Sequence, residues 1–256
     1  MLTFFKKRII QSFDDSEIFL HTADKFRNDP ITLVYLVNYL TKRYTLQRAK
    51  YLYDIGVNHV DKELLPDIEY LPRGCYNEFS VLVEKKNIID LQASSIIPST
   101  WKPYSIRSCI KSIGTANNVW KYDNLNHDVM FLFPLCYTCV YGGNHSLATG
   151  IIKNNIAKFN NNKIINLIEV YNYVKYKNGY FYFKNRKYKL SDKELISGVL
   201  FEIGRMILET GFSYDNYVNE YLECYNPVNS RLNNLYDLLS EDCNSFIERV
   251  LSNNTV

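Results

Sequence analysis

The amino-acid sequence predicts an α+β fold, with helical regions at both ends of the chain and strands in the middle. Apolar residues near each end recur at the three- and four-residue spacing of amphipathic helices. The middle holds short, strongly apolar or aromatic runs bounded by glycine and proline, which are typical of strands. We therefore expect a helical N-terminal region (1–74), an α/β core with a hairpin (75–190) and a helical C-terminal region (191–256).

The first region is predicted to hold a helix that Asp29 caps, that begins at Pro30 and that Gly56 terminates. Aspartate is a favoured helix cap, proline suits the first helical position, and glycine suits the end. The segment Leu65 to Cys75 contains two prolines and a glycine, so it is predicted to connect this helical region to the core.

The core is predicted to begin with a strand at Ile88 to Leu91, followed by a short helix from Tyr104 to Ile113 that ends at Gly114. Val129 to Tyr141 is strongly apolar and contains Pro134, which indicates two strands joined by a turn.

A further buried strand is predicted at Lys163 to Val170. Aromatic runs then flank Asn178-Gly179, which predicts a Tyr-rich β-hairpin over Tyr173 to Lys189 with these two residues at positive φ. Replacement of Gly179 by valine should destabilise that turn.

The last region is predicted to contain two amphipathic helices. Ser191 to Glu194 has the form of a capping box, and Gly211 is placed to end the first helix. Gly204 lies inside that helix, where glycine is unfavourable, so it indicates close packing. The second helix is predicted over Ser230 to Leu251.

Composition narrows the class of protein. The 256 residues suffice for one large domain or two small ones, and 46% hydrophobic and 22% charged residues indicate a packed core. The net charge is only +3, and no Lys/Arg block is longer than Lys6-Lys7-Arg8, so the charge does not demand a nucleic-acid partner.

The sequence also bears on location. We expect a cytoplasmic protein that does not contact a membrane, because no signal peptide and no run of about 18 apolar residues is present. Six cysteines lack the spacing of a disulfide framework and are expected to be reduced. Cys136 and Cys139 are predicted to be buried thiols rather than metal ligands, because residues three apart on a strand point to opposite faces.

The strongest functional signal is the motif Gly142-Gly143-Asn144-His145-Ser146, between the apolar strand segment and a helical segment predicted from Ser146 to Phe159. Glycines permit positive φ and close approach of a ligand. The free N–H groups of a helix N-terminus favour an anion. The alternative is an ordinary strand-to-helix turn capped by Asn144 or Ser146.

From Ile88 to Asn155, the order of elements and this motif resemble the ParB/sulfiredoxin-like fold family. There a strand, a segment similar to Ile97-Pro98-Ser99, a helix and a strand pair precede a glycine-containing turn that caps a helix and holds nucleotide phosphates. The resemblance covers about a quarter of the chain and implies a ParB/sulfiredoxin-like central core that binds a nucleotide, with magnesium as a candidate companion ion.

Two residues depart from the family motif. Asn144 stands where sulfiredoxins have the reactive cysteine, and an amide cannot be that nucleophile, which argues against sulfinic acid reduction. Ser146 stands where both families have an arginine, which removes a bidentate phosphate ligand. His145 matches the sulfiredoxin histidine.

Three cations are candidates to replace the missing arginine: Lys102, Arg107 and Arg205. His145 is the candidate general acid or base, and its protonated ring would add charge. We expect Gly143→Val to abolish binding while the fold stays largely intact. We expect His145→Ala to weaken binding more at pH 6 than at pH 8.

Other chemical signatures are not found. The remaining histidines are isolated, and His127 is expected on a loop surface. No metal site, Walker A sequence, nucleophile elbow or kinase signature is present.

Two hypotheses of function remain. The first is a protein that binds a nucleotide or another phosphorylated small molecule, with nucleotide or phosphoester hydrolysis as the candidate reaction. The alternative is a non-enzymatic protein-interaction or DNA-associated scaffold, in which the Tyr-rich hairpin is the contact surface and the helices form a partner or homo-oligomer interface.

Overall fold

The computed structural model describes residues 18–55, 78–100, 102–190 and 195–252. Within these residues the chain is mixed α/β, with helical N-terminal and C-terminal parts on either side of two sheets, as the composition pattern predicts.

The N-terminal part consists of α1 (18–25) and the long helix α2 (Pro30–Ile55). Asp29 accepts the backbone N–H of Thr32 at 3.1 Å and its hydroxyl at 2.8 Å, so the predicted cap is confirmed. The predicted helix end at Gly56 and the connection from Leu65 to Cys75 lie outside the described residues.

The central sheet has five strands in the spatial order β1-β5-β3-β4-β2. Its strands are β1 (Val81–Asp90), β2 (Ser95–Ile97), β3 (Val129–Phe133), β4 (Tyr137–Val140) and β5 (Lys158–Asn166). Strand β2 runs parallel to β4 and β3 runs parallel to β5, whereas the other two pairs are antiparallel.

The predicted strand pair around Pro134 is confirmed: β3 and β4 are joined by a turn that contains a cis Phe133-Pro134 bond and Cys136 at φ 52°. The predicted short helix is also present, as α3 (Pro103–Ser112), and Gly114 follows it at φ 70°.

The helix after the glycine motif is shorter than predicted. Helix α4 spans Asn144–Ile152, whereas Phe159 lies in β5, pairs with Ile89 and stacks on Tyr122 at 4.1 Å between ring centroids. Asn154 at φ 50° interrupts the helical segment, because left-handed backbone cannot continue a right-handed helix.

The predicted strand from Lys163 to Val170 is likewise shifted. Strand β5 begins earlier, at Lys158, and ends at Asn166, while Val170 belongs to the short helix α5 (Val170–Tyr173).

The predicted hairpin is present with Asn178 at φ 50° and Gly179 at φ 78°, as expected for its tight turn. It is part of a three-stranded antiparallel sheet of β6 (Lys175–Lys177), β7 (Tyr180–Phe183) and β8 (Arg186–Lys189). The second turn, at Lys184-Asn185, also has positive φ but contains no glycine, and the sequence analysis did not predict it.

The C-terminal part begins with α6 (Leu195–Glu209), and Gly211 at φ 77° follows its end, as predicted. A Cβ at Gly204 would overlap the Tyr171 hydroxyl oxygen, which confirms the close packing predicted there. The capping box at 191–194 lies outside the described residues.

The remaining C-terminal elements are helical. Helix α7 (Tyr214–Asn216) continues into a π-helical segment (Tyr217–Leu222), a 3₁₀ turn (Pro227–Asn229) follows, and α8 (Asn233–Ser252) confirms the last predicted helix.

One hydrophobic core joins all three parts of the chain. Leu36 of α2, Phe131 of β3 and Phe201 of α6 are at most 1% exposed and belong to the same cluster. The buried amide of Asn38 donates to Ala93 O at 2.8 Å, which fixes α2 against the loop after β1. This packing places α2 and α4 against each other and positions the glycine motif.

Within the described residues, no helix has the length and apolar character needed to cross a membrane.

Candidate functional site

The glycine motif forms the turn between β4 and α4. Gly143 has φ 73° and directly precedes Asn144, the first residue of α4, so the predicted strand-turn-helix arrangement is confirmed. The Leu147 N–H donates to Gly143 O at 2.9 Å as the first bond of the helix. No described side chain caps this end of the helix.

The two glycines are required by the protein's own packing. A Cβ at Gly142 would lie 2.5 Å from Asn126 O, and one at Gly143 would lie 2.9 Å from His127 Nε2 and closer still to its Cδ2. The space beside the two glycines is therefore filled by residues 126–128 of the protein itself and not by a ligand. The expectation that Gly143→Val leaves the fold largely intact is wrong, because the valine would displace a buried ring.

His127 is only 4% exposed, so its predicted position on a loop surface is wrong. Its ring stacks on Trp120, with centroids 5.4 Å apart and an interplanar angle of 12°. Its Nδ1 accepts the Asp123 N–H at 2.9 Å. Burial lowers the pKa of His127 and keeps the ring neutral.

The hydrogen bond to Nδ1 assigns the proton of the neutral His127 ring to Nε2. This Nε2 is buried and has no hydrogen-bond partner in the part of the chain that the structure describes. A buried donor without an acceptor costs about 1–3 kcal/mol. The start of α4 therefore lies beside an unsatisfied N–H group, a feature that the sequence His127-Asp128 gave no sign of.

The loop after β2 crosses the start of α4 and is fixed to it by two hydrogen bonds. The buried Asn144 side chain accepts the Ser99 N–H through Oδ1, and His145 Nε2 accepts the Lys102 N–H at 3.2 Å. Asn144 therefore positions this loop and does not cap its own helix, and Lys102 lies beside His145.

The protonation state of His145 differs from the one expected. Burial, together with the nearby positive charge of Lys102, lowers its pKa to about 4. The ring is therefore neutral at both pH 6 and pH 8. The expectation that a protonated His145 strengthens binding at pH 6 is wrong, and at neutral pH the ring offers no imidazolium to serve as a general acid.

Of the three candidate cations, Lys102 lies beside the motif, next to His145. Arg205 donates to Tyr171 O at 3.2 Å and Val174 O at 2.6 Å and pairs with Glu202 at 3.3 Å. These bonds fix α6 to the segment that leads into β6, and none of the partners belongs to the motif.

Arg107 lies on α3, where its guanidinium carbon is 4.9 Å from the centre of the Tyr53 ring. This contact joins α3 to α2. Arg107 and Arg205 therefore have structural contacts of their own.

Cys136 and Cys139 are both buried free thiols, and burial raises the pKa of Cys136. Cys136 lies in the turn before β4 and not on a strand, because its positive φ places it outside the ladder. Among the described residues, no three His, Cys, Asp or Glu side chains cluster as a metal site would require.

A separate groove of about 410 Å³ lies between the end of α1 and the start of α2. Four of its charged side chains form two ion pairs: Arg27 with Asp24 at 3.0 Å, and Arg231 with Asp29 at 3.4 Å. The groove therefore offers no excess charge of either sign from these four side chains.

The fold and the motif together define a mixed α/β protein with an uncapped helix N-terminus beside two neutral histidines. A family model matches residues 11–214, which is most of the chain, and the chain therefore belongs to the family of unknown function DUF6710. No curated protein and no solved structure matches the chain.

Proposed function

We propose that the protein binds a phosphorylated small molecule, such as a nucleotide, at the start of α4. The observation that carries this proposal is the buried Nε2–H of His127, which lacks an acceptor and lies against Gly143. An oxyanion placed there would accept from this donor and from the uncapped N–H groups of the first turn.

The charges near the turn favour an anion. A helix N-terminus carries the equivalent of about half a positive charge, and Lys102 adds a full charge beside His145. Both histidines are neutral, so binding does not depend on their protonation near pH 7.

Access to the donor requires a local movement. Nε2 of His127 is shielded by the Gly142-Gly143 turn, so the turn must shift before a ligand oxygen reaches hydrogen-bond distance. A ligand that binds as proposed should therefore change the backbone amide resonances of these two glycines.

We also propose that the central sheet with α3 and α4 is a ParB/sulfiredoxin-like core. The order of elements supports this: β1 and β2, the segment 97–99, α3, the antiparallel pair β3-β4, and the glycine turn before α4. Hydrolysis is not part of the proposal, because the neutral His145 has its Nε2 occupied by the Lys102 N–H.

The test is calorimetry with ATP, GTP, AMP and inorganic phosphate, on protein shown to be folded and free of co-purified ligand. The variant His127→Leu removes the donor at similar volume. It should weaken binding about 10- to 150-fold, the effect of one hydrogen bond to a charged group. Lys102→Gln should weaken it by a smaller factor, about fivefold, because this side chain is exposed.

Lys121→Gln is the matched control, because Lys121 is an exposed lysine outside the motif. Its affinity should equal that of the wild type. The proposal fails if the wild type binds none of these phosphates, or if His127→Leu binds them as tightly as the wild type does.

A further inference from the structure

The three-stranded sheet of β6, β7 and β8 has one buried face and one exposed face. On the buried face, Tyr176, Phe181 and Tyr188 are aligned across the strands. Phe181 is 1% exposed and its ring lies 5.2 Å from that of Phe201 on α6. Because side chains alternate along a strand, the neighbouring residues point away from α6.

The exposed face carries two cross-strand rows, each with a tyrosine on the central strand between two lysines. The rows are Lys175-Tyr182-Lys187 and Lys177-Tyr180-Lys189. All four lysines and Tyr182 are exposed, and Tyr180 is half-buried. We call these six residues the basic face.

Among the residues that the structure describes, no acidic side chain pairs with the lysines of the basic face. Residues 174–190 contain no aspartate or glutamate. The nearby Lys184 pairs with Glu78 at 2.7 Å, whereas none of the four lysines of the basic face pairs with an acidic residue in the described ranges. Lys187 instead places its ammonium 3.7 Å from the centre of the Tyr180 ring.

We propose that the basic face binds single-stranded nucleic acid. Its lysines are positioned to contact phosphates, and the exposed Tyr182 offers a ring face on which an unpaired base can stack. A duplex keeps its bases stacked on one another, and an acidic peptide has no bases to stack on the rings. The arrangement of lysines on both sides of a tyrosine therefore matches a single-stranded nucleic acid better than it matches a duplex or an acidic peptide.

This proposal narrows the hypothesis of an interaction module and is independent of the phosphate site at α4. The net charge of +3 did not indicate it, because acidic residues elsewhere balance the total. The pairing register concentrates four lysines on one face, and local concentration rather than total charge determines phosphate binding.

The test is fluorescence anisotropy of the full chain with labelled 20-nucleotide single strands of DNA and RNA, and with a duplex of the same sequence. Single strands should bind more tightly than the duplex. Tyr182→Ala should weaken single-strand binding about 5- to 150-fold, the range for loss of one stacked base, and Tyr182→Phe should retain it. Tyr104→Ala, which alters a tyrosine that is 81% exposed elsewhere, should have no effect.

The lysines are tested by salt dependence. The double variant Lys177→Gln/Lys189→Gln should reduce the slope of log K against log salt by about 1.4, since each phosphate contact of a single strand contributes about 0.7. The double variant Lys25→Gln/Lys121→Gln, in exposed lysines outside the basic face, should leave it unchanged. Circular dichroism verifies that every variant is folded.

Three results would overturn the proposal: no single-strand binding by the wild type, equal or tighter binding of the duplex, or basic-face variants that match their controls. Binding to polyglutamate or to vesicles containing phosphatidylserine, without binding to single strands, would assign the face to another partner and would also overturn it.

Discussion

Gly143→Ala should destabilise the protein by much more than an ordinary glycine substitution. Two effects combine at this position. A non-glycine residue at φ 73° costs about 1–2 kcal/mol from the left-handed backbone alone. The added Cβ would also lie 2.9 Å from Nε2 and 3.0 Å from Cγ of His127, where ordinary contact begins at 3.4 Å.

The ring of His127 must therefore move by at least about 0.5 Å, the difference between 3.4 and 2.9 Å, and by more at Cδ2, which lies closer to the added Cβ. That movement strains the hydrogen bond from Asp123 and the stacking on Trp120, each of which contributes about 0.5–1.5 kcal/mol. The sum of the backbone and ring effects is a loss of about 2–5 kcal/mol in the free energy of unfolding.

Urea unfolding followed by circular dichroism measures this loss. Gly211→Ala is the matched control, because Gly211 has φ 77° but an added Cβ would meet nothing within 4 Å. It should lose only the backbone part, about 1–2 kcal/mol. In a His127→Ala background, Gly143→Ala should cost no more than this control. Equal losses for the two single variants would refute the argument that the glycine exists to accommodate His127.

Two other changes test the core and the pH dependence. Tyr236→Phe should lower the free energy of unfolding by about 1–3 kcal/mol. The reason is that the Tyr236 hydroxyl lies 2.8 Å from both Asn38 Oδ1 and Tyr35 O in the core and donates its proton to these acceptors. The control Tyr104→Phe, at an exposed tyrosine, should leave the free energy of unfolding unchanged. The stability of the wild type should fall as pH drops from about 6.5 towards 4, since the unfolded chain binds a proton that the folded His145 resists. His145→Gln removes this titrating group, so the difference in free energy of unfolding between the variant and the wild type should change between pH 6.5 and pH 4. A difference that stays constant over this range would contradict the lowered pKa of His145.

The sequence predicted local elements better than it predicted the partners of the site residues. The cap at Asp29, the turn at Asn178-Gly179 and the helix start after Gly143 follow from short-range backbone preferences, and each is confirmed. The contact of Gly143 with His127 joins residues 16 positions apart through a loop. No periodic pattern records such a contact, so the glycine was attributed to a ligand.

The basic face shows a second limit, which is set by register. The predicted hairpin extended to Lys189 without a second turn at residues 184 and 185, so β8 was not recognised as a separate strand. Without β8, Lys187 and Lys189 could not be aligned with Tyr182 and Tyr180. A shift of one residue in strand pairing would move the lysines to the opposite face of the sheet from the tyrosines. The rows of lysine and tyrosine can therefore be recognised only once the pairing register is known.

The unsatisfied Nε2–H of His127 makes it possible to test whether this histidine serves the packing of the fold or the binding of an anion. In the ligand-free protein, His127→Leu removes a buried donor that costs about 1–3 kcal/mol. It also loses the hydrogen bond from Asp123 and the stacking on Trp120, each of which contributes about 0.5–1.5 kcal/mol. These effects have opposite sign, so the free energy of unfolding should change little, while phosphate binding falls. If the histidine served packing alone, the variant would lose stability and leave binding unchanged. Unfolding and calorimetry on this one variant therefore decide whether the polar ring is retained for the fold or for an anion.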